Sequence, residues 1–205
     1  MIRSLRRAAD RRRQADGRYG GLFRSYAGDE MVAIDCETTG LDTRTAELVS
    51  IAAVRIKGER VLTSGSLDLR LQPPASLRGD SIKIHRMRGI DLSDGETLDE
   101  ALEKFLDFIG NRPLLGWCIE YDLAVIDRHL RPLFGFGLPN LCLDMAQVYL
   151  REMHRTRPQL EPTVNFEAVA EALKVPVIGR HTALGDAVTT ALMYIRLKKG
   201  ALVPS

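Results

Sequence analysis

The chain is poor in cysteine. Its three (Cys36, Cys118 and Cys142) stand far apart in 205 residues and form no C-x-x-C pair. That argues against a zinc site and a disulfide framework and fits the reducing cytoplasm. Long apolar runs are missing too: none approaches the ~18 residues that span a bilayer, so no membrane partner is expected. The N-terminus is positive but lacks the apolar stretch of about 7–15 residues that marks a secretory signal. There is no internal repeat and no low-complexity tract. What remains, 45% apolar and 27% charged residues, is the composition of one soluble globular domain with a sizeable core.

The net charge of +2 hides an asymmetry. Residues 1–28 carry eight arginines against Asp10 and Asp16, a balance of +6 that leaves −4 for the rest. Ile2, Leu5 and Ala9 would make a thin apolar stripe on a helix ringed by arginines. Composition leaves two readings level, an arm that attracts phosphates or a solvated tail, with a transit peptide a remote third. We therefore set residues 1–28 apart as a basic N-terminal arm and expect one domain over residues 29–200.

From Met31 the pattern is mixed. Met31–Ile34 reads as a short buried strand, and Ala46–Lys57 and Arg60–Leu71 as two long strands joined by a turn at Gly58-Glu59. Residues 97–110 read as a helix with Thr97 as its cap. A strand at Pro113–Trp117, a helix over Glu120–Leu130, a strand at Leu141–Leu143 and a helix over Asp144–Met153 follow. Helices over Asn165–Leu173 and Thr182–Leu197 close the chain. A strand meander followed by alternating strands and helices predicts an α/β sandwich with a mixed sheet.

The stretch MVAIDCETTG (residues 31–40) ends a buried strand in two carboxylates. Side chains alternate along a strand, so Asp35 and Glu37 share a face and Cys36 takes the other. Two anions there need a cation, a proton or open water. In WCIEYDLAVIDRHL, Asp122, Val125, Ile126 and His129 fall at i, i+3, i+4 and i+7, which puts Asp122 beside the core-facing stripe near the helix start. In HTALGDAVTTALMYIRL, Asp186 lies in the first two turns of a long helix and His181 at or just before its start. Taken singly, each has a structural reading as a cap or a residue favoured by the helix dipole.

Together, Asp35-x-Glu37-Thr38-Thr39-Gly40, then Tyr121-Asp122, then His181-x4-Asp186 form a set. In this order and spacing the chain resembles the DEDDh-type 3′→5′ exonucleases, the family of the proofreading subunit of bacterial DNA polymerase III and of ribonuclease T, over about residues 29–198. The resemblance implies an RNase H-like, mixed five-stranded sheet flanked by helices. It implies metal-dependent hydrolysis of phosphodiester bonds at single-stranded 3′ ends of DNA or RNA, with two divalent cations, Mg²⁺ or Mn²⁺, as cofactors. On the family pattern Asp35 bridges both ions, Glu37 and Asp186 complete the first, and Asp122 supports the second. His181 is then the general base, its imidazole being a side chain that titrates near neutral pH. Thr38, Thr39, Gly40, Leu41 and Tyr121 would meet the terminal nucleotide, with Leu41 as a wedge under the last base.

One departure stands out. Many relatives read His-Asn-x-x-Phe-Asp where this chain has Trp117-Cys118-Ile119-Glu120-Tyr121-Asp122, which removes two polar groups able to touch substrate. For Trp117 we favour packing over base stacking, and for Glu120 solvent. His85, followed by Arg86, Met87 and Arg88, is expected near the substrate path or on a surface loop, and His154 in an exposed basic linker. A non-cleaving nucleic-acid-binding module and a polymerase-bound proofreading subunit are the rivals. Ending soon after its last helix, the chain is expected to be freestanding, with a homodimer or a polymerase as the remaining protein partners.

Overall fold

The computed structural model describes residues 2–85 and 87–200; the expectations for Arg86 and for the side chain of His85 lie outside the described residues. Five strands form one sheet: β1 (Glu30–Thr38), β2 (Leu48–Lys57), β3 (Arg60–Arg70), β4 (Leu114–Gly116) and β5 (Cys142–Asp144), in the order β3-β2-β1-β4-β5. β1, β2 and β3 are an antiparallel meander, and β4 and β5 add in parallel to β1. The mixed sheet is the one expected, because local turns build the meander whereas parallel addition needs helical crossovers.

The alternation of β1 sorts the core into two layers. Val32, Ile34 and Cys36 face α3 (Leu98–Ile109) and α4 (Glu120–Phe134), burying Leu102, Phe105, Leu106, Ile109, Val125 and Ile126. Ala33 faces the other side, where α5 (Met145–Thr156), α6 (Phe166–Ala172) and α7 (Ala183–Lys198) bring Tyr149, Phe166, Val169, Ala187 and Ala191. Asp35 and Glu37 continue the Ala33 face, so the strand that anchors the core also aims both carboxylates towards α7. No described helix is long and apolar enough to cross a membrane.

The N-terminal segment is joined to this core. α1 (Ile2–Arg13) carries Asp10, which is 2% exposed. Its carboxylate meets Arg13 and Arg131 and accepts the backbone N–H of Gly137. Leu22 and Phe23 enter the α3–α4 core, and Tyr19, Phe23, Phe134 and Phe136 stack with ring centroids 5.4 to 6.4 Å apart. A solvated tail is therefore not what these residues form. Packing runs without a break across the expected boundary at residue 28.

Other differences are local. β1 runs on through Asp35–Thr38 because β2 continues to pair with it, Glu37 opposite Ser50. α4 passes Leu130 and includes Pro132, ending at Gly135 with φ 77°. The aromatic cluster around Phe134 offsets the N–H that proline removes. The short helix α2 (Gly79–His85) was not foreseen. α5 extends to Thr156, so His154 is an exposed helical residue rather than part of a linker.

Candidate active site

β4 pairs with β1 only through Val32 and Ala33, so β1 beyond Ile34 has no strand on that side. The exposed ladder is completed by a side chain: the Cys36 N–H donates to Asp122 Oδ1 at 3.1 Å. Asp122 lies in the first turn of α4 and is 4% exposed. A carboxylate at a helix start and on a free backbone N–H is held in place twice. Between Glu37 and Thr38 the register with β2 slips, a bulge that turns the chain out of the sheet next to the carboxylates.

α7 supplies the third acid. Thr182 caps it by accepting the Gly185 N–H at 3.2 Å, and Asp186 follows in the first turn, 4% exposed. His181, just before the cap, adopts φ 64°, a left-handed conformation that non-glycine residues seldom hold. Its backbone N–H donates to Asp186 Oδ2 at 3.3 Å. The loop before α7 presses on the helix: a Cβ on Gly185 would lie 2.3 Å from the carbonyl oxygens of both Ile178 and Gly179. Gly185→Ala is therefore expected to cost about 1–3 kcal/mol through overpacking. The check is the melting temperature, at roughly 2–4 °C per kcal/mol for a chain of this size; an unchanged value would show that the loop yields freely.

One oxygen each from Asp35, Glu37 and Asp186 lies within 4.8 Å of the others. Asp122 and His181, expected in the same constellation, stand outside this cluster, Asp122 at the open edge of β1 on the Cys36 N–H and His181 on the loop beside Asp186. Burial pushes the Asp35 carboxyl well above the usual range, reinforced by the charges of Asp122, Asp186 and Glu37. Burial and Asp186 raise Glu37 to about 7, against a smaller opposing effect of Arg180. Burial likewise raises Asp122 to about 7, although the Cys36 N–H favours its charged form. Asp186 is raised by burial and partly restored by Arg180. Its Oδ1 is buried with no hydrogen-bond partner. Clustered hard oxygens, a proton affinity raised by crowding and an orphaned buried carboxylate oxygen are the donor set that a divalent cation fits.

The expected substrate-side residues form a rim. Thr38 Oγ1 donates to the Gly40 carbonyl at 2.9 Å and lies 2.7 Å from the Tyr121 hydroxyl, which itself donates to Gly40 O. Thr39 Oγ1 lies 2.8 Å from Ser76 Oγ and accepts the Glu47 N–H at 3.0 Å. Both threonine side chains thus brace the loop that holds Leu41, which is 87% exposed. Trp117 packs its ring edge on Phe166 at 5.3 Å, the packing role expected of it. Burial raises the thiols of Cys36 and Cys118, so neither is poised as a nucleophile.

Arg180 went unnoticed in the sequence, although it directly precedes His181. Its Nη1 donates to Asp186 Oδ2 and its Nε to Glu167 Oε1 at 2.6 Å, with the guanidinium 4.4 Å above the Phe166 ring.

A family model described as exonuclease matches residues 32–194. The chain belongs to this exonuclease family. It is 30% identical over 171 residues to the DNA polymerase III subunit epsilon of Aquifex aeolicus, covering 81% of this chain and 79% of that protein. It is 29% identical to a PolC-type DNA polymerase III of Caldanaerobacter subterraneus, of which it spans only 11%. Among solved structures, cell-death related nuclease 4 superposes with a TM-score of 0.72 at 18% identity, over 84% of this chain and 64% of that one. E. coli exonuclease I in complex with a dT13 oligonucleotide superposes with a TM-score of 0.71 at 16% identity, over 83% of this chain and 41% of that one. The exonuclease I and CRN-4 likenesses carry the fold: an RNase H-like, mixed five-stranded sheet flanked by helices.

Proposed function

We propose that this exonuclease-family chain removes nucleotides one at a time from single-stranded 3′ ends, with two divalent cations, Mg²⁺ or Mn²⁺, in the acidic cluster. The observation that carries this reading is the meeting of Asp35, Glu37 and Asp186 oxygens within 4.8 Å beside a braced loop that presents an exposed leucine. DNA is the favoured substrate, because a relative covered over most of its length is a DNA polymerase III subunit. That relative also keeps a polymerase-bound proofreading role as the second reading.

Each residue then has a task. Asp35, Glu37 and Asp186 would hold a divalent cation, and Asp122 would support a second beside Asp35. Bound there, divalent ions neutralise charge on the phosphate and ease deprotonation of water. Leu41 packs under the terminal base, while Tyr121, Thr38, Thr39 and Gly40 shape the floor that receives the sugar. His181 accepts the proton of the attacking water. The new bond joins that water oxygen to phosphorus, and the bond from phosphorus to the 3′-oxygen of the preceding nucleotide breaks. A 5′-mononucleotide leaves, and the departing 3′-oxygen takes a proton from solvent, so the strand keeps a new 3′-hydroxyl.

The test uses the purified full-length protein with Mn²⁺ and single-stranded or duplex oligonucleotides of DNA and RNA, labelled at either end. Mononucleotide release from the 3′ end of single-stranded DNA, abolished by EDTA and restored by Mn²⁺, is the expected result. Equal hydrolysis in excess EDTA would overturn the metal reading, and release from the 5′ end would overturn the direction.

A further inference from the structure

We infer that Arg180 is a positioning residue that aims Asp186 and thereby sets the divalent-cation affinity of the cluster, an inference that rests on the metal reading above.

The two oxygens of Asp186 are used unequally. Oδ2 accepts from Arg180 Nη1 and from the His181 N–H. Oδ1 is buried and has no hydrogen-bond partner. With Oδ2 held by two donors, Oδ1 is the oxygen left for a cation. The carboxylate cannot rotate to offer the other without breaking both bonds.

Arg180 does not depend on Asp186 for its own place. Its Nε is bound by Glu167 at the start of α6, and its guanidinium lies 4.4 Å over Phe166 in the same helix turn. Phe166 packs against Trp117 at the end of β4 with centroids 5.3 Å apart. A planar fork gripped at one edge and stacked on one face presents its remaining donor in a fixed direction. The same loop carries His181 in its left-handed conformation, so the group that orients Asp186 directly precedes the residue assigned as base.

A different role would give the opposite result. If Arg180 were only a resident cation filling the place of a metal ion, its removal would free Asp186 and tighten metal binding. If it aims the ligand, its removal weakens binding although a repelling positive charge has gone. Outer partners of metal ligands typically contribute 10–100-fold to affinity or activity.

The experiment is Mn²⁺ titration of the full chain, followed by the electron paramagnetic resonance of free Mn²⁺ and by the fluorescence of Trp117, the only tryptophan. Far-UV circular dichroism reports the folded fraction. Arg180→Gln is expected to bind Mn²⁺ about 10–100-fold more weakly than wild type. Arg180→Lys keeps the charge but not the fork and is expected to lose a comparable factor. Glu167→Gln, which loosens the grip on Arg180 alone, is expected to show a smaller loss. Wild-type or tighter affinity in Arg180→Gln overturns the inference, as does full recovery in Arg180→Lys. Should Arg180→Gln fail to fold, unchanged affinity in Glu167→Gln overturns it instead. A wild type that binds no Mn²⁺ refutes the metal reading itself.

Discussion

Asp35→Ala is expected to lower hydrolysis by at least about 10³-fold, equivalent to about 4 kcal/mol of transition-state stabilisation at 1.36 kcal/mol per decade. Its metal-free form should melt at the wild-type temperature or above it. Asp35 is the carboxylate closest to the other three in effect, since Asp122, Asp186 and Glu37 all raise its pKa on top of burial. A site that must gather charge for a cation is strained when the cation is absent, and removing the central charge relieves that strain.

The same physics gives a pH dependence. In the unfolded chain carboxylates titrate near pH 4, whereas in the folded, metal-free protein Asp35 is raised and Glu37 titrates at about 7. Between those values the folded state binds protons that the unfolded state has released, so stability falls as pH rises across the interval. Raised to about 7, Glu37 alone accounts for on the order of 3–4 kcal/mol of that loss at 1.36 kcal/mol per pKa unit. Metal-free wild type should therefore melt lower at pH 8 than at pH 5.5, and saturating Mn²⁺ should recover the difference at pH 8. Asp35→Ala should show a shallower decline. A wild-type melting temperature that climbs between pH 5.5 and 8 without metal would contradict the account.

Much of this was legible in the residues because the relevant signals are local. Period-two alternation put Asp35 and Glu37 on one face, and that face is the one that meets α7. Thr97 marked a helix start, because capping depends on a few adjacent residues. What escaped depends on distant contacts. α4 runs through Pro132 because Phe134 packs with Tyr19 and Phe136, a tertiary contact that local propensity does not register. Asp10 sits in a run of arginines, yet it is buried by Arg131 and Gly137, more than a hundred residues away. Arg180 had no periodic or capping signature. Its meaning appears only when α6 brings Glu167 and Phe166 beside it. That the side chains of Thr38 and Thr39 also brace the loop was not legible, because Glu47, Ser76 and Tyr121 converge on them from three separate segments.

His181→Ala is expected to lower the single-turnover rate by about 10²–10⁴-fold, the usual worth of a positioned general base. Binding of metal and oligonucleotide should remain, because the imidazole lies outside the carboxylate cluster and the loop meets Asp186 through the backbone N–H, which alanine keeps. The backbone adds a second consideration. Residue 181 holds φ 64°, and histidine tolerates the left-handed region better than most non-glycine residues, so alanine brings a small penalty in stability that must be separated from the chemistry. His181→Asn, which tolerates the same backbone but supplies no base, makes that separation. If the imidazole takes the proton of water, both variants lose rate to a similar extent, and both give a pH profile of a different shape from that of wild type. If the residue serves only to turn the chain, Asn restores the rate and every profile keeps one shape. Single-turnover rate against pH at saturating Mn²⁺, corrected for folded fraction by circular dichroism, decides between them. Parallel profiles of similar height for wild type and His181→Asn would remove His181 from the reaction and leave the proton to solvent.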